Sequence, residues 1–224
     1  MAPRGTRRRG VRVAIAVATA AVLALGTASL ATTVGASGTS GESAAVSKRA
    51  LHDAMRKLWI DHVTWTRLFI VSFVADVPDL EATTNRLLQN QTDIGDAVKP
   101  FYGPAAGNAL TDLLEEHILT AAELLGAAKT GDTDAFEAAK AAWYDNARQI
   151  ARFLHDANPK HWPLADMKAM MREHLDLTLA EAAAQLGGDY VGSVEAFDAA
   201  EDEIIAMADM LSRGIIRQFP NEFA

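Results

Sequence analysis

The chain has 224 residues, of which half are hydrophobic and 22% are charged, and its formal net charge at pH 7 is −8. This length suits one or two domains, and the acidic balance argues against nucleic acid and anionic lipid as partners, because both attract a basic surface. The sequence has no cysteine, which excludes disulfides, thiolate metal sites, a Cys nucleophile and a lipidated N-terminal cysteine.

The N-terminal segment has the pattern of an export signal. The basic stretch MAPRGTRRRGVR precedes the apolar run VAIAVATAAVLAL, and small residues before Ser37 favour cleavage after Ala36. We therefore predict that residues 1–36 are a signal peptide of a secreted or cell-envelope protein, and the adjacent arginines also fit twin-arginine export. Without cleavage, the same segment would be an N-terminal membrane anchor. Removal of its five arginines would take the net charge to −13.

The rest of the chain reads as a linker followed by one helical domain. Residues 37–47, SGTSGESAAVS, are small and polar and predict a flexible linker. Over residues 48–224 apolar residues recur at steps of three and four, which predicts an all-α domain. Proline, glycine and aspartate breaks predict six helices, at about 48–76, 79–98, 104–129, 134–156, 164–186 and 193–218.

The six helices pair into three similar hairpins, and the first helix of each carries a histidine. His62, His117 and His174 follow one another at intervals of 55 and 57 residues. Each is preceded by an acid and followed, about one turn later, by a threonine: Thr66, Thr120 and Thr178. The second helices also correspond, with Asn90, Asn146 and Asp209 coming 28, 29 and 35 residues after their histidines. A repeated helical hairpin is the simplest explanation, so the sequence predicts a six-helix bundle built from three repeats.

All three histidines are predicted to face the core. Their neighbours three and four positions away are mostly leucine, methionine and tryptophan, so each ring lies on the apolar stripe of its helix. Leaving a buried polar group without a partner costs roughly 1–3 kcal/mol. Something in the interior must therefore satisfy each imidazole.

One interpretation is a metal site. The three imidazoles would bind a single Zn, Fe, Cu or Ni ion, with Asp209 or Glu201 as a fourth ligand. Asn90 and Asn146, with the three threonines, would orient the rings from outside the ligand shell. Such a protein could store or scavenge metal, or, as a metal-dependent hydrolase, activate a water molecule.

Other interpretations remain open. In a non-catalytic structural or interaction protein of the cell envelope, each neutral histidine would hydrogen-bond the Asn or Asp of its own hairpin. A small apolar ligand could instead lie along the aromatic strip Trp59, Trp65, Phe69 and Phe73. The sequence has no HExxH motif, Gly-rich phosphate loop or nucleophile elbow, so it does not favour an enzyme.

The runs DHVTWTR, HLDLT and GIIRQFP resemble a family of small exported or cell-envelope helical proteins of bacteria, over about residues 55 to 222. The resemblance implies an exported all-α protein and carries no established activity. Proteins of this type are sometimes labelled glycosyltransferases, but this sequence has no nucleotide-binding βαβ unit that would support that activity.

Overall fold

The computed structural model describes residues 47–223. The prediction of an all-α domain is confirmed over this range, which folds into five long helices followed by a short 3₁₀ turn at Pro220–Glu222. The helices are α1 (Lys48–Val74), α2 (Leu80–Thr130), α3 (Thr133–Ala157), α4 (Leu164–Gly187) and α5 (Tyr190–Gln218). The predicted signal peptide, its cleavage site and residues 37–46 of the predicted linker lie outside the described residues.

Side-chain caps fix three of the helix starts. The side chain of Ser47 accepts a hydrogen bond from the backbone N–H of Ala50, and Asp132 does the same for Ala135 at the start of α3. Asp189 accepts from the N–H of Gly192 at the start of α5. These bonds satisfy backbone donors that have no partner inside the first helical turn.

Helix α2 runs through the predicted break between the second and third helices, so five helices are found where six were predicted. Pro100 and Pro104 both lie inside α2, and the backbone leaves helical geometry at Gly103, with φ 83° and ψ 164°. The two halves of α2 then fold back on each other. A Cβ built on Gly95 would lie only 2.6 Å from the carbonyl oxygen of Gly107, and the reverse distance is the same. The glycines therefore allow a close antiparallel contact that larger residues would block.

The helices form a bundle in which neighbours along the chain pack together and α5 returns to α1. At one end, Tyr102 beside the bend of α2 donates to Gln218 near the end of α5. At the other end, Lys129 near the end of α2 donates to the carbonyl of Phe73 in α1.

The interior holds two apolar clusters. The larger draws on all five helices and includes Trp59, Ile94, Trp143, Leu175 and Ile204. The smaller lies toward the end of the bundle where α1 ends, and consists of Phe69, Ile70, Leu87, Ile118 and Leu125. Across residues 47–223, none of the helices carries an apolar stretch long enough to span a lipid bilayer.

Candidate functional site

The three predicted histidines lie together in the core, one each on α1, the second half of α2, and α4. His62, His117 and His174 are only 2%, 3% and 4% exposed. The ring centroids of His62 and His174 are 5.5 Å apart, and those of His117 and His174 are 6.1 Å apart. Helices from three different parts of the chain thus bring their imidazoles into one buried group, which we call the histidine layer.

Asn146 holds His117 from α3. The Asn146 side-chain amide donates to the carbonyl of Leu113 at 3.0 Å, which turns its oxygen toward the ring. That oxygen lies 2.9 Å from His117 Nδ1. Because an amide oxygen can only accept, Nδ1 carries the proton and Nε2 keeps its lone pair. This fixes the tautomer of His117 in the form that a metal-binding histidine needs.

Asn90 makes the matching backbone contact from the first half of α2. Its amide donates to the carbonyl of Leu58 at 3.0 Å, four residues before His62, just as Asn146 contacts the residue four before His117. The Asn90 oxygen accepts from Gln91 at 3.3 Å, and Nδ1 of His62 has no hydrogen-bond partner in the described part of the chain. Asn90 and Asn146 are therefore both placed behind a histidine, but only Asn146 bonds its ring through a short hydrogen bond.

Glu203 on α5 is the acid that reaches the histidine layer. Its Oε2 lies 3.5 Å from His174 Nδ1, and the two side chains are 8% and 5% exposed. Glu203 comes 29 residues after His174, the same interval that separates Asn146 from His117. This interval was the signal in the sequence that could have identified it. A carboxylate therefore faces Nδ1 of the third histidine, whereas an amide oxygen faces Nδ1 of His117.

The prediction that Asp209 or Glu201 supplies the fourth ligand must be corrected. Asp209 lies on the flank of α5 that faces α1, where Arg56 donates to both of its carboxylate oxygens at 2.6 and 2.7 Å. His52 lies 2.9 Å from the same group. Glu201 precedes Glu203 by two positions, which turns it about 200° around the helix and away from the layer. Neither acid accompanies the histidines.

The three threonines bond the helix backbone rather than the imidazole rings. Thr66 and Thr178 donate to the carbonyls of His62 and His174, at 2.8 and 2.9 Å. Thr120 donates to the carbonyls of Glu116 and His117. A threonine hydroxyl inside a helix commonly bonds the carbonyl one turn back. The prediction that these hydroxyls orient the rings is therefore replaced by a contact to the histidine backbone.

Burial disfavours the charged form of two of the three imidazoles, those of His117 and His62. It lowers the pKa of His117 to about 3, with the charge of nearby His174 acting in the same direction. Burial also lowers the pKa of His62 well below its ordinary value, and His174 and His117 add to this effect. A neutral imidazole can offer a lone pair to a metal ion at ordinary pH without first losing a proton.

Several buried polar atoms around the layer have no hydrogen-bond partner among residues 47–223. They are Trp59 Nε1, His62 Nδ1, Gln91 Oε1, Trp143 Nε1, His174 Nδ1 and Glu203 Oε2. The two tryptophans belong to the same region, since their rings lie 5.6 Å from His62 and 5.4 Å from His117. Folded proteins leave few such atoms, and each calls for an explanation such as an ion or a water molecule.

The rings of the histidine layer lie slightly farther apart than the rings of histidines that share one metal ion. With Zn–N bonds of 2.0–2.1 Å, two imidazoles on one tetrahedral zinc have ring centroids about 5 Å apart. The observed separations are 5.5 and 6.1 Å. Within the described chain, no three His, Asp or Glu side chains already stand in a geometry that would hold a metal ion. Binding would therefore require His62 and His117 each to approach His174 by up to about 1 Å, measured between ring centroids.

A second buried charged group, which was not predicted from the sequence, lies nearer the α4–α5 turn. Arg67 donates to Glu181 at 2.8 Å and to the backbone oxygen of Ser193 at 3.2 Å. The Glu181 side chain is 3% exposed. Burial raises the pKa of Glu181 to about 7, although Arg67 opposes that rise. This contact ties α1 to the last pair of helices.

Comparison of the chain with protein-family models, curated proteins and solved structures finds no match. The chemistry of the histidine layer has to be inferred from its own residues.

Proposed function

We propose that the protein binds one divalent transition metal ion, zinc in the first instance, in the histidine layer. The ligands are the imidazoles of His62, His117 and His174 and the carboxylate of Glu203. The observation that carries the proposal is the grouping of three nearly unexposed imidazoles with a carboxylate, that of Glu203, whose Oε2 lies 3.5 Å from His174 Nδ1 and has no hydrogen-bond partner in the described chain. Three nitrogens and one oxygen are a ligand set that zinc, iron, copper and nickel all accept.

The surroundings of the layer support this set. Asn146 leaves Nε2 of His117 unprotonated and facing away from α3, as the outer partner of a metal-bound histidine does. A divalent ion would also offset the negative charge of Glu203, which is costly to bury alone. The role that follows is storage or capture of metal by an exported protein. Export, and membership of the bacterial family that the sequence resembles, are parts of the same proposal.

Catalysis is not part of the proposal. A metal-dependent hydrolase needs a path by which substrate reaches the metal-bound water. None of the three histidines is more than 4% exposed. The burial of the layer therefore favours holding an ion over turning over a substrate.

Equilibrium titration of the untagged full-length protein with Zn²⁺ tests the proposal. We expect one equivalent to bind, and His174→Gln to weaken binding at least about 100-fold, since loss of a ligand should exceed the 10–100-fold effect of an outer partner. His161→Gln is the matched control, because His161 lies in the turn between α3 and α4, outside the layer. Failure of the folded wild-type protein to bind Zn²⁺, Cu²⁺, Ni²⁺ or Fe²⁺ would refute the proposal.

A structural role is the second candidate, and the bond between His117 and Asn146 favours it. In that case the layer would fix the register of the helices through neutral hydrogen bonds. His117→Gln would then destabilise a protein that never binds metal. The same titration, combined with denaturant unfolding of this variant, separates the two candidates.

A further inference from the structure

An apolar cavity of about 270 Å³, partly open at the surface, lies mainly beside the smaller apolar cluster, among α1, both halves of α2, α3 and α4. Thirteen of its fifteen lining residues are alanine, isoleucine, leucine or phenylalanine. The other two are Thr66 and Thr178. The cavity therefore begins one helical turn beyond His62 and His174.

The cavity offers no polar group to an occupant. The hydroxyls of Thr66 and Thr178 both donate to backbone carbonyls of their own helices. A hydroxyl held in this way presents its methyl group to the space beside it. A site lined in this manner gives a water molecule none of the two to four polar partners that a buried water needs.

Volume and lining together define the occupant. A dry cavity of about 150 Å³ lined by Leu, Ile and Phe is large enough to bind benzene. The present cavity is nearly twice that size, at about 270 Å³. It matches a neutral hydrocarbon of two fused rings. An empty apolar cavity destabilises a protein in proportion to the volume of the cavity. A ligand that fills the cavity should therefore stabilise the folded protein.

The seam between α3 and α4 is the expected entrance to the cavity. Leu179 and Ala183 of α4 line both the cavity and a shallow polar groove between α3 and α4. Ala183 is exposed, and Phe136 on the facing side of the cavity is half-buried. A ligand would enter at this seam, which contains none of the three histidines.

We propose that this cavity is a binding site for a neutral, two-ring-sized apolar molecule. The site is separate from the proposed metal site and does not depend on it. Its ligand carries no charged or strongly hydrogen-bonding group on the part that is buried, because nothing in the cavity can pair with one. The protein thus binds a hydrophobic small molecule at the end of the bundle opposite to the bend of α2.

Naphthalene is the probe, and its binding to the full-length protein is measured in the presence of a chelator. We expect saturable one-to-one binding that raises the melting temperature. Ala182→Phe places a ring in the cavity and should weaken binding at least tenfold. Ala138→Phe, on an exposed position of α3, is the matched control and should leave binding unchanged.

Two further measurements keep the test decisive if Ala182→Phe fails to fold. The wild-type protein should bind the larger hydrocarbon pyrene at least tenfold more weakly than naphthalene, whereas Leu125→Ala, which enlarges the cavity, should narrow that difference. Absence of saturable naphthalene binding by the folded protein would overturn the proposal. So would equal effects of Ala182→Phe and Ala138→Phe. Because the chelator removes metal throughout, failure here leaves the metal proposal untouched, and the reverse also holds.

Discussion

Replacing Glu203 by glutamine should stabilise the metal-free protein and impair metal binding. In the metal-free state Oε2 of Glu203 is buried, has no hydrogen-bond partner in the described range, and lies 3.5 Å from His174 Nδ1. An unpaired buried acceptor costs about 1–3 kcal/mol, and more when it is charged. A glutamine amide in the same place carries no charge and can donate to the ring nitrogen. We expect Glu203→Gln to raise the free energy of unfolding by about 1–2 kcal/mol.

For a domain of this size, such a gain raises the melting temperature by about 2–8 °C. The same substitution removes the anionic ligand, so zinc affinity should fall at least about 100-fold, beyond the usual loss for an outer partner. Denaturant unfolding in chelator and a Zn²⁺ titration measure the two effects on one protein. A gain in stability together with a loss of zinc affinity is what we expect of a residue that serves ligand binding at some cost in stability.

Asp209→Asn is the control, since it makes the same chemical change on the same helix. Arg56 holds the pKa of the Asp209 carboxyl below its usual value through a direct hydrogen bond. Loss of this partly exposed pair should lower stability rather than raise it, and leave zinc affinity unchanged. The reasoning fails if Glu203→Gln destabilises the metal-free protein by more than 1 kcal/mol, because the carboxylate would then be paired with a protonated His174. It also fails if the variant binds zinc like the wild type.

Three other perturbations test the remaining contacts. Because the pKa of His117 falls to about 3 on folding, its contribution to stability is complete above about pH 6.5 and is lost as the pH falls; between pH 8 and pH 5 the loss is about 2 kcal/mol. Denaturant unfolding in chelator at both pH values should show it, and His117→Gln should lose less over the same interval. Arg67→Met leaves Glu181 buried without its cation, and should cost about 3 kcal/mol at pH 8 but much less at pH 5, where the folded wild type and the folded variant both hold the carboxyl protonated. Equal losses at the two pH values would contradict that account. Gly95→Ala should destabilise by about 1–3 kcal/mol, because its Cβ meets a backbone oxygen at 2.6 Å; Gly126→Ala in the same helix meets only a side-chain atom at 3.8 Å and should be neutral or stabilising in a thermal melt.

The sequence predicted the inward direction of the histidines because that direction depends on one helix at a time. The spacing of apolar neighbours places His62, His117 and His174 on the stripe of their own helices, and burial follows once the helices pack. Which acid meets them depends on how α5 is rotated against α4 and α1. Asp209 and Glu203 are six positions apart, so they lie on different faces, and only packing decides which face turns inward.

The predicted break between the second and third helices is present as a sharp bend within α2 rather than as a loop. Pro100 and Pro104 predicted an interruption, and the backbone does leave helical geometry at Gly103. Helical hydrogen bonding resumes immediately on either side, so the chain bends without a loop. The cavity was beyond prediction from sequence altogether, because an unfilled volume is a property of several helices at once. Only Phe69 of the predicted aromatic strip lines it.

The two ends of the bundle are packed very differently. At the bend of α2, the ring of Tyr102 lies 5.8 Å from that of Trp162 and meets that of Phe219 edge-on at 5.2 Å, measured between ring centroids. Trp162 also fills the space beside Gly214. At the opposite end the interior contains the cavity. Amide hydrogens there should exchange with solvent through small local openings well before those beneath the aromatic rings do, so that fluctuations of the native protein are confined to one half of its length.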